Sequence, residues 1–403
     1  MKKIKVLRII ARLNIGGPAI HTILLTEGLD LSRFESILVS GSISKAEGDM
    51  SYYADKKQVK PLVVPRLRRE LSLFNDIAAL RSIYRIIKAQ EPDIVHTHTA
   101  KAGALGRLAA IIYNFLNRKK RVKIVHTFHG HVLRGYFGRF KSRIFIFIER
   151  FLGMFTDIIV TVSASVAREL LDLEICKKAK IKVIPLGFEL DELLAIPPET
   201  NGGSIVNIGI IGRLVPVKNH RLFLEAAAKL LKDKQYLNLR FKIVGDGELR
   251  DELEGCACRL GIASRVEFLG WKMELAKVYS VLEVVVLTSI NEGTPVSLIE
   301  AMASARPVVS TEAGGVRDLL GENLDSAQGK DLKFRIMERG IIVDSKDPAD
   351  FAAALAVILR DNRLRRDIGL RGREFAAKIY SKDRLIGDIQ NLYCTLLSAK
   401  YPT

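Results

Sequence analysis

Residues 205–231, IVNIGIIGRLVPVKNHRLFLEAAAKLL, run from a β-branched apolar segment through a Gly-Arg-Leu turn into an amphipathic segment. The first part reads as a strand buried on both faces and the last as a helix, which together make one βα unit of a parallel sheet. Gly212 stands where the strand ends. Arg213 and Lys218 bracket the turn, where two cations can neutralise a diphosphate, one by bidentate hydrogen bonds and one as a point charge.

The same rhythm extends in both directions. "KVLRII", "ESILVS", "DIVH", "KIVHTF", "DIIVTVS" and "IKVIPLG" precede it, and "LRFKIVG", "RVEFLG", "EVVVLTS", "RPVVST" and "GIIVD" follow. Two series of βα units are separated by the polar "FELDELLAIPPETNGGS", so an α/β chain of two Rossmann-like, doubly wound parallel-sheet domains is expected. The boundaries read as 1–188 for an N-terminal domain, 189–204 for a linker, 205–380 for a C-terminal domain and 381–403 for a last helix packing back toward the N-terminal domain. At 403 residues, 48% hydrophobic and 7% aromatic, the chain can bury two cores.

Charge is uneven. Residues 1–188 hold 33 Lys/Arg and 15 Asp/Glu against 30 and 30 in the remainder, so the whole formal +18 lies in the first half. Something anionic, such as an anionic membrane surface, is the expected partner of that half, and nucleic acid is not expected. Arg8 and Arg12 interrupt the apolar run at the start, which therefore reads as a first strand, and no apolar run reaches the 18 or so residues of a membrane span. Cys176, Cys256, Cys258 and Cys394 lack metal spacing and read as free thiols of a reducing compartment. The expected location is the cytoplasm, peripherally at the inner face of the membrane.

Glycine pairs follow strands at Gly16-Gly17, Gly245 with Gly247, and Gly314-Gly315. They either turn strand into helix or admit backbone N–H groups close to a phosphate at a helix N-terminus. Neither a Walker G-x4-G-K-[ST] nor a G-x-G-x-x-G opening the first βα unit is present, which argues against nucleotide hydrolysis and dinucleotide redox chemistry. In "NEGTPVSLIEA" (Asn291–Ala301), Pro295 suits a helix start, leaving Glu292 in the preceding loop and Glu300 more than a turn inside the helix. Such a pair is badly placed to flank one bond at the roughly 5 Å used by a retaining glycosidase.

Gly-Arg-Leu-x3-Lys-Asn (Gly212–Asn219), Gly-Asp-Gly-x-Leu (Gly245–Leu249) and Glu-Gly-x-Pro-x4-Glu (Glu292–Glu300), in this order, resemble retaining sugar-nucleotide glycosyltransferases of family 4, with the GT-B fold. Gly16-Gly17 resembles the family's N-terminal glycine loop, and "HTHTAKAG" and "HTFHG" resemble motifs of members that build bacterial surface polysaccharides. The resemblance implies two domains facing across a cleft and transfer of a sugar from a nucleoside-diphosphate sugar to a lipid-linked or phosphorylated glycan acceptor, with retention. It implies Glu300 on the ribose, Glu292 on the sugar hydroxyls, and Arg213 and Lys218 on the diphosphate. Gly16, Gly17, Gly245, Gly293, Thr294 and Pro295 complete the donor set. His129 faces the donor sugar, making His129, Glu292, Arg213 and Lys218 the catalytic group, and His98, Lys101, His131 and Arg134 lie on the acceptor side. No cofactor and no metal are expected, since cations and a helix N-terminus can stabilise the leaving diphosphate.

The histidines of "HTHTAKAG" and "HTFHGH" have no carboxylate or cysteine at ligand spacing. "RGYFGRFKSRIFIFIERFLGMF" (Arg134–Phe155) interleaves Arg and Phe, as an interfacial helix does, though Phe at helical spacing also suits a core. A GT-B sugar-nucleotide epimerase and a silent nucleotide-sugar-binding protein are the competing functions.

Overall fold

The computed structural model describes residues 3–14, 16–43, 48–68, 70, 72–130, 139–198, 205–324 and 333–398, with side chains between 139 and 155 from 142 onward. It divides into unit 1, Met1–Phe188 with Lys382–Thr403, and unit 2, Glu189–Ser381.

Unit 1 is built on seven strands: β1 (Ile4–Ile10), β2 (Phe34–Gly41), β3 (Leu62–Val64), β4 (Ile94–His98), β5 (Lys123–Phe128), β6 (Ile158–Thr161) and β7 (Ile181–Val183). All pair in parallel in the order β3-β2-β1-β4-β5-β6-β7. Helices on both faces bury the β-branched runs, and Val6, Leu7, Ile9, Val95 and Val125 are wholly inaccessible. The C-terminal helix Lys382–Ser398 belongs to this unit because Leu385, Ile386, Ile389 and Tyr393 close a cluster with Val6, Leu25, Phe34, Ile94 and Val160. That helix also explains Arg8. The guanidinium is fully buried, yet it donates to Ser36 and, at 3.4 Å, to the Tyr393 hydroxyl.

Unit 2 repeats the plan with β8 (Val206–Ile211), β9 (Leu239–Val244), β10 (Val266–Gly270), β11 (Val284–Leu287), β12 (Val308–Thr311), β13 (Phe334–Met337) and β14 (Gly340–Val343). Their order is β10-β9-β8-β11-β12-β14-β13, parallel except for the β13–β14 pair. Residues 189–198, read from sequence as linker, fold as part of unit 2. The cause is Arg306, 3% exposed, which donates to the carbonyls of Tyr279 at 3.0 Å and of Pro197 and Pro198 at 3.1 Å each, while Arg373 reaches the Ile196 carbonyl.

In both sheets the chain leaves a central strand in opposite directions, between β1 and β4 and between β8 and β11. Ligands of open parallel sheets bind beyond the carboxyl ends of the strands at such a point.

Arg306→Met removes a charged donor from three carbonyls. Hydrogen bonds to charged groups are worth about 1.5–3 kcal/mol, so the unfolding of unit 2 in urea should show a loss of at least about 2 kcal/mol. Arg317→Met, on a side chain 63% exposed, should change stability by no more than about 0.5 kcal/mol.

Candidate functional site

At the β8 end the chain turns through Gly212-Arg213-Leu214, and the Gly245-Asp246-Gly247 turn clamps it from behind. The Leu214 N–H donates to the Asp246 carbonyl at 2.9 Å, and the Leu249 N–H donates to the Leu214 carbonyl at 3.1 Å. Gly245 must be glycine, since its φ is +134° and a Cβ would stand 2.0 Å from the Gly212 carbonyl oxygen. Lys218, in a short 3-10 turn, lays its stem over Gly212. The loop after β11 is sewn to that turn: the Ile290 N–H donates to the Val217 carbonyl at 2.8 Å, and the Thr288 hydroxyl donates to the Lys218 carbonyl at 3.0 Å.

This brings Glu292 to Lys218. The Lys218 Nζ stands 2.6 Å from Glu292 Oε1, and the Ser289 hydroxyl donates to the same oxygen at 2.6 Å. The next strand end braces the pair, with the Thr311 hydroxyl on the Ser289 carbonyl at 2.7 Å and the Gly315 N–H on the Gly293 carbonyl at 2.8 Å. Gly314, at φ +54°, leaves no room for a Cβ, which would lie 1.8 Å from the Glu292 carbonyl oxygen. Arg213 is exposed, and no acidic group pairs with it among the described residues. The Thr294 hydroxyl is buried without a partner, and Pro295 is the N-cap of the helix Val296–Ala303. Together they offer an exposed guanidinium, an ammonium with donors to spare, an ionisable acceptor and an orphaned hydroxyl beyond the ends of β8 and β11.

Glu300, on that helix, keeps some exposed surface but accepts a hydrogen bond at 2.8 Å from Tyr279, which is itself fully buried. Loss of water around the carboxyl group pushes its pKa up to about 7, against the opposing bond from Tyr279. Tyr279 has no place in the sequence reading. Its position, 21 residues from Glu300, is no motif spacing, and only its aromatic ring in a short apolar run marks it as core.

In unit 1, Gly16 is the N-cap of the helix Gly17–Gly28, just beyond β1. His98 ends β4 and His129 follows β5, with His98 Nδ1 and His129 Nε2 3.1 Å apart. Burial alone lowers the pKa of His129 to about 3. His96 is fixed by Tyr393 at 2.6 Å and Thr127 at 2.7 Å, and His126 by Thr97 at 2.8 Å. Both are thus held by side chains of the same sheet or of the C-terminal helix. Lys101 is tied to Asp76 at 2.6 Å and to the Glu70 carbonyl. His131 and Arg134 lie outside the described residues. His21, fully buried in the helix after Gly16-Gly17, joins His98 and His129 although no sequence motif singles it out.

The raised pKa of Glu300 has a signed consequence. Below about pH 4.5 the group is protonated in both folded and unfolded states and contributes no difference; from there to about pH 7 only the folded state keeps the proton, and above it the buried charge is fully penalised. Relative to the wild type, Glu300→Gln should therefore gain thermal stability steadily across that window, and Tyr279→Phe should widen the window upward. A difference in melting temperature independent of pH would remove the assignment.

The glycosyl transferases group 1 profile matches residues 206–361, and that of glycosyltransferase family 4 matches residues 15–192. The Escherichia coli UDP-Gal:alpha-D-GlcNAc-diphosphoundecaprenol alpha-1,3-galactosyltransferase is 28% identical over 340 residues, 80% of each chain. The Staphylococcus aureus capsular polysaccharide biosynthesis glycosyltransferase CapM is 24% identical over 393 residues, 90% of this chain and 97% of the other. HepE of Anabaena, solved in complex with UDP, has a TM-score of 0.76 at 18% identity, over 97% of this chain and 100% of that one. That last likeness speaks for the fold. With one profile on each unit and two Rossmann-like sheets beneath them, the chain belongs to glycosyltransferase family 4 and is a glycosyltransferase of the GT-B fold.

Proposed function

We propose that the protein moves a sugar from a UDP-sugar onto a lipid-diphosphate-linked glycan during assembly of a bacterial surface polysaccharide, with retention of configuration and no metal ion at the diphosphate. The observation that carries the reading is the Lys218–Glu292–Ser289 cluster beside the exposed Arg213 at the end of β8. The names of the Escherichia coli and Staphylococcus aureus relatives supply the donor base, the kind of acceptor and the polysaccharide context.

An ammonium carries three protons, so Lys218 can hold Glu292 and a phosphate oxygen together, while Arg213 takes the diphosphate by its planar fork. Glu292 then accepts from the sugar hydroxyls and Glu300 from the ribose, and His129 contributes to the sugar. The bond from the anomeric carbon to the diphosphate oxygen breaks as the acceptor hydroxyl attacks from the same face, and the acceptor proton passes to the departing phosphate oxygen. Charge building on that diphosphate is met by fixed cations, which is the main catalytic term.

Arg213→Ala and Lys218→Ala should each lower turnover at least about 10²-fold, since one such donor is worth roughly 2.7–4 kcal/mol. EDTA should cause no loss of rate, and the product should keep the donor's anomeric configuration by NMR. Activity in both alanine variants would remove the diphosphate assignment, a rate restored only by Mg²⁺ or Mn²⁺ the metal-free step, and an inverted product the same-face attack. Epimerised UDP-sugar made without acceptor would favour the epimerase reading.

The acceptor side of the proposal rests on the helix Arg139–Phe155. Its Leu152 and Glu149 face inward, Glu149 to the buried Arg107 at 2.7 Å, while Ile144, Phe147, Ile148, Phe151, Met154 and Phe155 are exposed. They recur every three or four residues and form one apolar stripe, extended by exposed Phe115 and Leu116. Large apolar groups beside exposed Arg143 and Arg150, on the half of the chain that carries the +18, suit an anionic bilayer surface. Among the described residues no helix is long and apolar enough to cross a membrane. The protein should sediment with anionic liposomes at low salt and release at high salt. Phe147→Ser with Phe151→Ser should abolish sedimentation and leave UDP affinity unchanged; sedimentation unaffected by these changes would overturn the membrane reading.

A further inference from the structure

His21 comes from the helix Gly17–Gly28, His98 from the end of β4 and His129 from the turn after β5, so the cluster exists only in the folded unit. The ring centroids are 5.6 Å apart for His21 and His98, 5.0 Å for His21 and His129, and 5.3 Å for His98 and His129. Three imidazoles on one tetrahedral zinc, with Zn–N bonds of 2.0–2.1 Å, place their centroids about 5 Å apart. The 3.1 Å between His98 Nδ1 and His129 Nε2 is close to the roughly 3.3 Å between two nitrogens on such an ion. One nitrogen from each ring lies within 4.8 Å of the others, so closure needs only small ring movements.

A second observation is independent of that spacing. Both nitrogens of the fully buried His21, the ring that shares no hydrogen bond with the other two, are without any hydrogen-bond partner. Buried polar atoms are almost always satisfied, and an orphaned imidazole packed against two others calls for a missing ligand. Three imidazole nitrogens with no carboxylate select zinc, cobalt, nickel or copper over magnesium or calcium. Among the described residues no carboxylate orients the ligand rings, and the buried Arg8 lies close enough to His21 and His98 to oppose positive charge. Both features weaken binding and make the ion exchangeable.

We propose that His21, His98 and His129 form a reversible zinc site, and that zinc bound there withdraws His129 from the donor sugar and slows transfer. The inhibitory half rests on the role proposed above for His129; the site itself does not. His129 keeps some exposed surface, which gives an ion its way in.

Metal-free protein titrated with Co²⁺ should develop the visible absorption of tetrahedral cobalt, saturating at one equivalent and bleached by Zn²⁺. The band should vanish in His21→Ala and in His129→Ala and persist in His220→Ala, a buried histidine of unit 2. Circular dichroism reports whether each variant is folded, and the half-buried position of His129 makes its variant the more tolerant of the two. No band in the wild type, or a band surviving both His21→Ala and His129→Ala, overturns the site. Zn²⁺ should lower turnover more than tenfold, reversibly with EDTA and without changing UDP affinity; a wild type that binds Co²⁺ but transfers sugar equally fast with Zn²⁺ overturns the brake. The Co²⁺ titration needs no donor, so it stands or falls apart from the transferase reading.

Discussion

The ion pair between Lys218 and Glu292 is the contact on which the strand ends of unit 2 are arranged. It joins the turn after β8 to the loop after β11, the two strand ends at which the crossovers diverge. Neither charge could be held half-buried alone, since an unpaired charge away from water is costly. Everything nearby serves to keep the two loops in register: the Ser289 hydroxyl on the same carboxylate oxygen, the Thr288 and Thr311 hydroxyls on loop carbonyls, and the backbone of Gly314-Gly315 pressed against Glu292-Gly293. The glycines are there because a Cβ would collide with a carbonyl oxygen.

A second chain of contacts holds the other carboxylate. Arg306 grips the carbonyl of Tyr279 and the two prolines that enter unit 2, and the Tyr279 hydroxyl meets Glu300. A buried cation thus fixes a tyrosine that in turn orients an acid with little water of its own. The same acid pays in pH sensitivity, because its charged form is the one burial disfavours.

Unit 1 uses its buried polar groups differently. Arg8, Tyr393, His96 and Thr127 form one chain of hydrogen bonds beneath the C-terminal helix, which is why the last helix belongs with the first strand. Beside this network stand His98 and His129, which meet each other, and His21, neither of whose nitrogens has a partner. The helix Arg139–Phe155 resolves the ambiguity of its own sequence by doing both things: Leu152 and Glu149 pack inward, and the stripe through Phe147 and Phe151 does not.

The parallel sheets, the glycine turns and the positions of Arg213, Lys218, Glu292 and Glu300 were legible in the sequence because each depends on local chemistry: β-branched runs make strands, and Gly-Arg-Leu or Glu-Gly-x-Pro follows a strand within a few residues. Pairing was not legible. That Lys218 meets Glu292 across 74 residues, that Tyr279 meets Glu300, that Lys101 meets Asp76 and that His21 comes to His98 and His129 follows from strand order and crossover direction. Nor did composition decide which face of the helix 139–155 is covered or that residues 189–198 join unit 2. A sequence pattern records which side chains a residue's own turn or strand can present, whereas the partner that satisfies a buried charge or nitrogen is set by packing between segments far apart in the chain.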